Sequence, residues 1–211
     1  FSGDEHLSGQ QPYQGTELCA VVETLFSLQY LVQVYDDYVT LMDWAEVLAY
    51  NALPAAFSAD MWSHQYDQQP NQVLVSRARR AWYDNTDDSN LFGMEPHFGC
   101  CTANYHQGWP KFVSSLWLRD ADGALSAGAY SPCCVRTVIT GVPVEIIEDT
   151  GYPFRESIKI TINCQRPAEF ALRLRIPAWC SQAKVRADGA ELRPAAGTIC
   201  ELRRVWSNSN V

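Results

Sequence analysis

The sequence has little positive charge. Its 16 lysines and arginines stand against 24 aspartates and glutamates, a net charge of −8. Nucleic acids and anionic membranes both want clustered Lys and Arg, so neither is expected as a partner, and a neutral polar ligand suits the chain better. Long apolar runs are also missing. The apolar stretches are short and broken by charge, well under the roughly 20 residues that cross a bilayer, so no membrane segment is expected. Internal repeats and low-complexity tracts are absent as well. Phe1 stands where an initiator methionine would, and ICELRRVWSNSNV stops inside a strand-like pattern, so the chain is expected to be a piece of a longer protein. The lack of a visible signal peptide then carries no information. Eight cysteines in 211 residues are too few and too scattered for a disulfide-stapled miniprotein. That leaves metal binding or catalysis as uses for some of the thiols.

What is present is a globular composition, 47% hydrophobic and 12% aromatic, with two kinds of periodicity. After Glu17, the residues Leu18, Val21, Val22, Leu25, Leu28, Leu31 and Val32 recur at three- and four-residue steps and predict a helix, with Thr16 as its N-cap. A second helix is expected from about Thr40 to Leu53, with Leu41, Trp44, Ala45, Leu48 and Ala52 on its buried side and Pro54 as a stop. A third is expected to begin near Pro110 and run through Phe112, Val113, Leu116 and Trp117. Residues 55 to 99 look loop-rich. Beyond Asp120 the period becomes two. ESIKITINC aligns Ile158, Ile160, Ile162 and Cys164, and EFALRLRIP aligns Phe170, Leu172, Leu174 and Ile176 opposite Arg173 and Arg175. ADG at 187 to 189 signals a hairpin, and further strands are expected near 124–130, 133–139, 143–148 and 198–204. The expected fold is α+β and multidomain: a helical domain over residues 1–120, then an antiparallel β-sandwich over 121–211.

The chemistry-bearing stretch is HFGCCTANYHQGWP, residues 97 to 110. Cys100 and Cys101 are badly placed to bond to each other. A disulfide wants Cα atoms about 4.4 to 6.8 Å apart, whereas a trans peptide holds neighbours at about 3.8 Å. Their partners must lie elsewhere. GTELC offers Glu17 and Cys19, which with the pair make one carboxylate and three thiols, a tetrahedral zinc set in chemical type. The spacing matches no zinc-finger template, and the bland reading stays open: buried cysteine is a common apolar filler, and Glu17 could be a solvated carboxylate at a helix N-terminus. SGDEHLSG places Asp4, Glu5 and His6 in a glycine-flanked loop, where a carboxyl can serve as acid or base or can simply be exposed. Glu46 sits among apolar helix residues, where an ionised carboxylate needs a partner or a solvated edge. Trp62, His64, Tyr66, Trp82, His97, His106 and Trp109 could stack on a sugar ring or could fill a core.

SGDEHLSG, GTELCAVVE and GCCTANYHQGWPKF, in that order and followed by strands, resemble the glycoside hydrolase family 127 β-L-arabinofuranosidases. The resemblance covers essentially the whole chain. It implies the later part of an (α/α)6-barrel catalytic domain, then the start of a β-sandwich region. It further implies a Zn2+ cofactor held by Glu17, Cys19, Cys100 and Cys101, with Cys100 doubling as nucleophile. Glu5 is the match for the acid/base glutamate, with Asp4 as the alternative, and Glu46 matches a further active-site glutamate. Thr102 stands where many members carry proline. The implied reaction is retaining hydrolysis of β-L-arabinofuranosyl linkages, the partner being an arabinofuranosyl glycoside.

Two other readings compete. One is a catalytically inactive fragment or carbohydrate-binding module with a structural zinc. The other is a secreted binding module bridged through Cys133, Cys134, Cys164, Cys180 and Cys200. The zinc reading needs reduced thiols, which favours the cytoplasm.

Overall fold

The apolar stripe after Glu17 forms the helix its spacing predicts. The computed structural model describes residues 7, 9–35, 37–80, 86–93 and 99–211. Helix α1 (Leu18–Leu31) buries Leu18, Val21, Val22, Leu25 and Leu28 along one face. Its cap differs from expectation. Thr16–Glu17 form a short strand, β1, paired antiparallel with β2 (Asp67–Gln68), and Glu17 is the N-cap in an extended conformation. The first helical amide, that of Leu18, donates to the Tyr66 carbonyl at 2.9 Å, so strand pairing does what a Thr16 hydroxyl was expected to do.

Helix α2 (Tyr38–Val47) continues through a π-helical turn (Leu48–Ala52) into α3 (Leu53–Ala55). Its buried positions are Met42, Ala45 and Glu46, continuing at Leu48, Ala49 and Leu53, and Trp44 is 58% exposed rather than inward. Pro54 lies inside α3 instead of ending the helix. A proline ring clashes with the carbonyl four residues earlier. The wider π turn, in which the Leu53 amide reaches back to the Leu48 carbonyl, opens the ladder just ahead of it.

Helix α4 (Gly99–Ser114) is the largest departure from the sequence reading. It begins at Gly99 rather than near Pro110, so both adjacent cysteines lie in its first turn and Pro110 is interior. Trp117, expected on this helix, instead opens strand β3 (Trp117–Arg119). Residues 55 to 80 and 86 to 93 are mostly loop, as expected, with β2 and isolated bridges joining Phe57 to His64 and His64 to Gly93.

Strands β4 (Leu125–Ala127), β5 (Cys133–Ile139), β6 (Val142–Thr150), β7 (Ile158–Cys164), β8 (Ala168–Ile176), β9 (Val185–Ala187), β10 (Ala190–Leu192), β11 (Thr198–Trp206) and β12 (Ser209–Asn210) complete the chain. They build two four-stranded sheets, β11-β8-β4-β3 and β12-β7-β6-β5, whose inward residues share one apolar core from Leu125 to Trp206. The pairing is antiparallel except between β4 and β8, which run parallel, a correction to the all-antiparallel expectation. β9 and β10 form a separate hairpin, turned by Asp188 and Gly189 at φ 49° and 80°. These signs are those of a type I′ turn, and the ADG signal forecast such a hairpin turn. Arg175, expected on a solvated face, is fully buried and paired with Asp43, its Nε donating to the Gly128 carbonyl.

The described residues fall into two compact units: those up to Gln33 together with Trp44–Val113, and those of Val34–Asp43 together with Ser114–Val211. No helix among the described residues is long and apolar enough to cross a membrane.

Candidate metal centre

Four side chains of the first unit converge. One ligand atom each from Glu17, Cys19, Cys100 and Cys101 lies within 4.8 Å of every other. Local backbone explains the convergence. On a regular helix, residues two apart diverge by about 200°, but Glu17 is still extended while Cys19 is already helical, so the strand-to-helix junction brings both side chains to one end of α1. In a strand, neighbours face opposite ways. Pairing of Thr16 with Gln68 and of Glu17 with Asp67 therefore turns the Glu17 side chain away from that of Thr16. Cys100 and Cys101 come from the first turn of α4.

The four donors differ in setting. Cys101 is fully buried, Glu17 nearly so at 6% exposure, Cys19 is half-buried and Cys100 is exposed. Cys19 and Cys101 sulfurs stand 3.2 Å apart. The contact with Cys101 lowers the Cys19 pKa, and the Asn104 amide adds to this from 3.3 Å. The same bond, with burial, pushes the Cys101 thiol up. Loss of hydration, then the bond with Cys19, raises Cys100. Of the three thiols, Cys19 is the one whose contacts favour ionisation.

The spacing accommodates a metal. Zn–S distances of about 2.3 Å at tetrahedral angles put sulfurs about 3.8 Å apart. That value lies between the 3.2 Å of the Cys19–Cys101 pair and the 4.8 Å limit of the set. Among the described residues this is the group of three or more His, Cys, Asp or Glu side chains able to hold an ion.

Other predicted site residues lie elsewhere. Asp4, Glu5 and His6 fall outside the described residues, as do Trp82 and His97. Glu46 is buried on α2 at 6% exposure and is not one of the four donors. Of the aromatic candidates, Trp62 is 75% exposed and Tyr66 is buried. His106 is exposed, while Trp109 donates from Nε1 to the Ala49 carbonyl at 3.1 Å. His64 is buried, with Nδ1 3.1 Å from the Gln65 carbonyl and Nε2 2.8 Å from the Thr102 hydroxyl, so it braces the turn that carries the cysteine pair. The carbonyl only accepts, so Nδ1 carries a proton. Sequence reasoning missed Asn104 and Gln107. A helix begun at Gly99 would have revealed them, since Cys101, Asn104 and Gln107 follow at three-residue steps.

A helical region with a Cys3Glu centre followed by a two-sheet β region defines the class of the molecule. Residues 124–211 match the family profile described as "Beta-L-arabinofuranosidase, GH127 middle domain". The chain is similar in fold to the crystal structure of a GH127 β-L-arabinofuranosidase from Geobacillus stearothermophilus T6, with a TM-score of 0.77 at 23% identity over 94% of this chain and 31% of that one. It is similar also to a glycoside hydrolase (TM-score 0.78, 17% identity, 99% of this chain and 37% of the other) and to a GH127 β-arabinofuranosidase (0.71, 18%, 93% and 31%). The chain spans about a third of the length of these solved structures. No curated protein matches it by sequence.

Proposed function

We propose that the chain is the zinc-bearing part of a retaining glycoside hydrolase of the GH127 β-L-arabinofuranosidase type. The observation that carries this is the convergence of Glu17, Cys19, Cys100 and Cys101 within 4.8 Å. Three thiolates and one carboxylate suit zinc, since soft sulfur disfavours magnesium or calcium. The likeness to solved GH127 structures over nearly the whole chain, and the profile match over 124–211, support an assignment as the later part of an (α/α)6 barrel (residues 1–120) followed by a β-sandwich domain (121–211).

In this reading the Cys100 thiolate attacks the anomeric carbon while a carboxylic acid protonates the departing glycosidic oxygen. The resulting carboxylate then takes a proton from water, which attacks the same carbon as the Cys100 sulfur leaves. Exposure favours Cys100 over buried Cys101 for this role. Bound zinc would keep the sulfur ionised near neutral pH and stabilise it again as leaving group. Glu5, with Asp4 as alternative, is the acid/base on the strength of the sequence resemblance, and Glu46 is a further active-site carboxylate, supported by its burial among apolar neighbours on α2.

The test joins metal analysis with release of arabinose from a β-L-arabinofuranosyl glycoside. One zinc per chain and hydrolysis with retained configuration are expected. Cys100→Ser lowers turnover by on the order of 10⁴-fold or more, and Cys19→Ala or Cys101→Ala releases the metal. Full zinc occupancy in both alanine variants refutes the ligand set, and normal turnover by Cys100→Ser refutes the nucleophile. A second reading is a zinc-tied carbohydrate-binding module without turnover. Stoichiometric zinc with no arabinose release would select it.

A further inference from the structure

We propose that Asn104 is a positioning residue for the metal centre: held by Gln107 and Glu23, its amide donates to the Cys19 sulfur and makes Cys19 the sulfur that stays on the metal while Cys100 reacts. The proposal rests on the zinc reading above.

The direction of the chain of bonds follows from its far end. A carboxylate only accepts, so the group of Gln107 lying 3.3 Å from Glu23 Oε1 is the amide nitrogen. That same nitrogen is 2.9 Å from Asn104 Oδ1, which must accept. The other end of the Asn104 amide is then Nδ2, and it faces Cys19 Sγ at 3.3 Å. A flipped Asn104 would set a nitrogen against a nitrogen and an oxygen against an electron-rich sulfur. Glu23 thus orients Gln107, Gln107 orients Asn104, and Asn104 addresses one sulfur of three. The helix spacing makes this a set of matched rungs, with Cys19 and Glu23 four apart on α1, and Cys101, Asn104 and Gln107 three apart on α4.

The bond makes the three sulfurs inequivalent. An N–H donor withdraws charge from a thiolate and lowers its tendency to attack carbon or take up a proton. No side-chain amide among the described residues reaches Cys100 or Cys101. Cys101 is shut in by burial and Cys19 takes the Asn104 donor, which leaves the exposed Cys100 as the sulfur free to attack. Groups that orient metal ligands from behind commonly govern metal affinity by 10- to 100-fold.

The experiment uses Co2+ in place of zinc in the 211-residue chain, with Asn104→Leu, Asn104→Asp, Gln107→Leu and the Asn104→Leu/Gln107→Leu double variant. Asn104→Leu is expected to move the sulfur-to-cobalt charge-transfer band to longer wavelength, because sulfur electrons no longer stabilised by an N–H are easier to excite. It should also surrender zinc to a competing chelator about tenfold more readily. Gln107→Leu shifts both in the same direction by less and adds nothing to Asn104→Leu, as expected for a relay. Asn104→Asp keeps the shape while turning an acceptor toward the sulfur, and shifts further; it carries the test if the leucine variant does not fold. A wild-type cobalt spectrum and chelator curve in either Asn104 variant overturns the proposal. Failure of the unmodified chain to bind Co2+ or Zn2+ overturns the zinc reading itself, and this inference with it.

Discussion

Glu148 is a carboxylate on the inward face of a sheet, only 2% exposed. The Trp117 indole donates to it at 3.0 Å and the Ser131 amide at 2.9 Å, yet burial outweighs both donors and pushes its carboxyl up to about 7. The titratable group beside it is Cys133, 3.9 Å away, whose thiol is itself pushed up to about 12, first by burial and then by the Glu148 charge. An unfolded glutamate titrates near 4.3. Between these values the folded chain holds a proton that the unfolded chain has lost. The contribution is therefore complete below about pH 4 and is lost as pH rises through about 7, on the order of 4 kcal/mol in all. Denaturant unfolding at pH 5 and pH 8 should show this decline, and Glu148→Gln should flatten it; an unchanged slope in the variant would locate the effect elsewhere. Glu148 was legible in principle. Val142, Val144, Ile146 and Glu148 all lie on the buried face, and period two carries the stripe straight onto the glutamate. The four converging side chains were legible as pairs, Glu-x-Cys and Cys-Cys, but which atoms meet could not be read from spacing, because it depends on a strand ending where a helix begins.

Helix α4 passes its neighbours at Gly108. A Cβ there would stand 3.0 Å and 3.3 Å from the two Leu53 methyls and 3.5 Å from Val22. Leu53 is fully buried, so its methyls can give way only by displacing other core atoms. Gly108→Val should cost about 1–3 kcal/mol by overpacking. Because it pushes α4, which carries the cysteine pair, away from α3, it should also weaken the candidate metal centre; thermal unfolding read beside zinc content checks both, and full zinc retention in a destabilised variant would separate packing from site. At this scale the strands were the easiest part to foresee. β5, β6, β7 and β11 alternate between more and less covered side chains, and that pattern survives in the sequence, whereas β8 is buried on both faces. The helices were harder. GCCTANYHQGWPKF has few apolar residues to betray a period, and Pro110, favoured in a first turn, drew the expected start toward itself. Trp44 attracted an inward reading by its size alone, whereas the neighbours Met42, Ala45 and Ala49 keep the true stripe. The hairpin at Asp188 and Gly189 was recovered because only residues tolerant of positive φ fill such a turn.

Over the whole molecule, a metal that binds the folded chain and not the unfolded one adds RT ln(1 + [L]/Kd), or about 4 kcal/mol at free zinc a thousandfold above Kd. Stripping zinc with a chelator should lower the urea midpoint of the helical circular-dichroism signal accordingly, and restoring zinc should reverse it; coincident curves with and without chelator would show that no such linkage exists. Cys19 and Cys101 lie 82 positions apart, and closing a loop of that length costs on the order of 4 kcal/mol in chain entropy. Cys100 and Cys101, being neighbours, need no closure at all. An ion held by all four side chains would thus find only half of its coordination sphere on the newly made chain, and the complete one would come into existence late, as a product of folding.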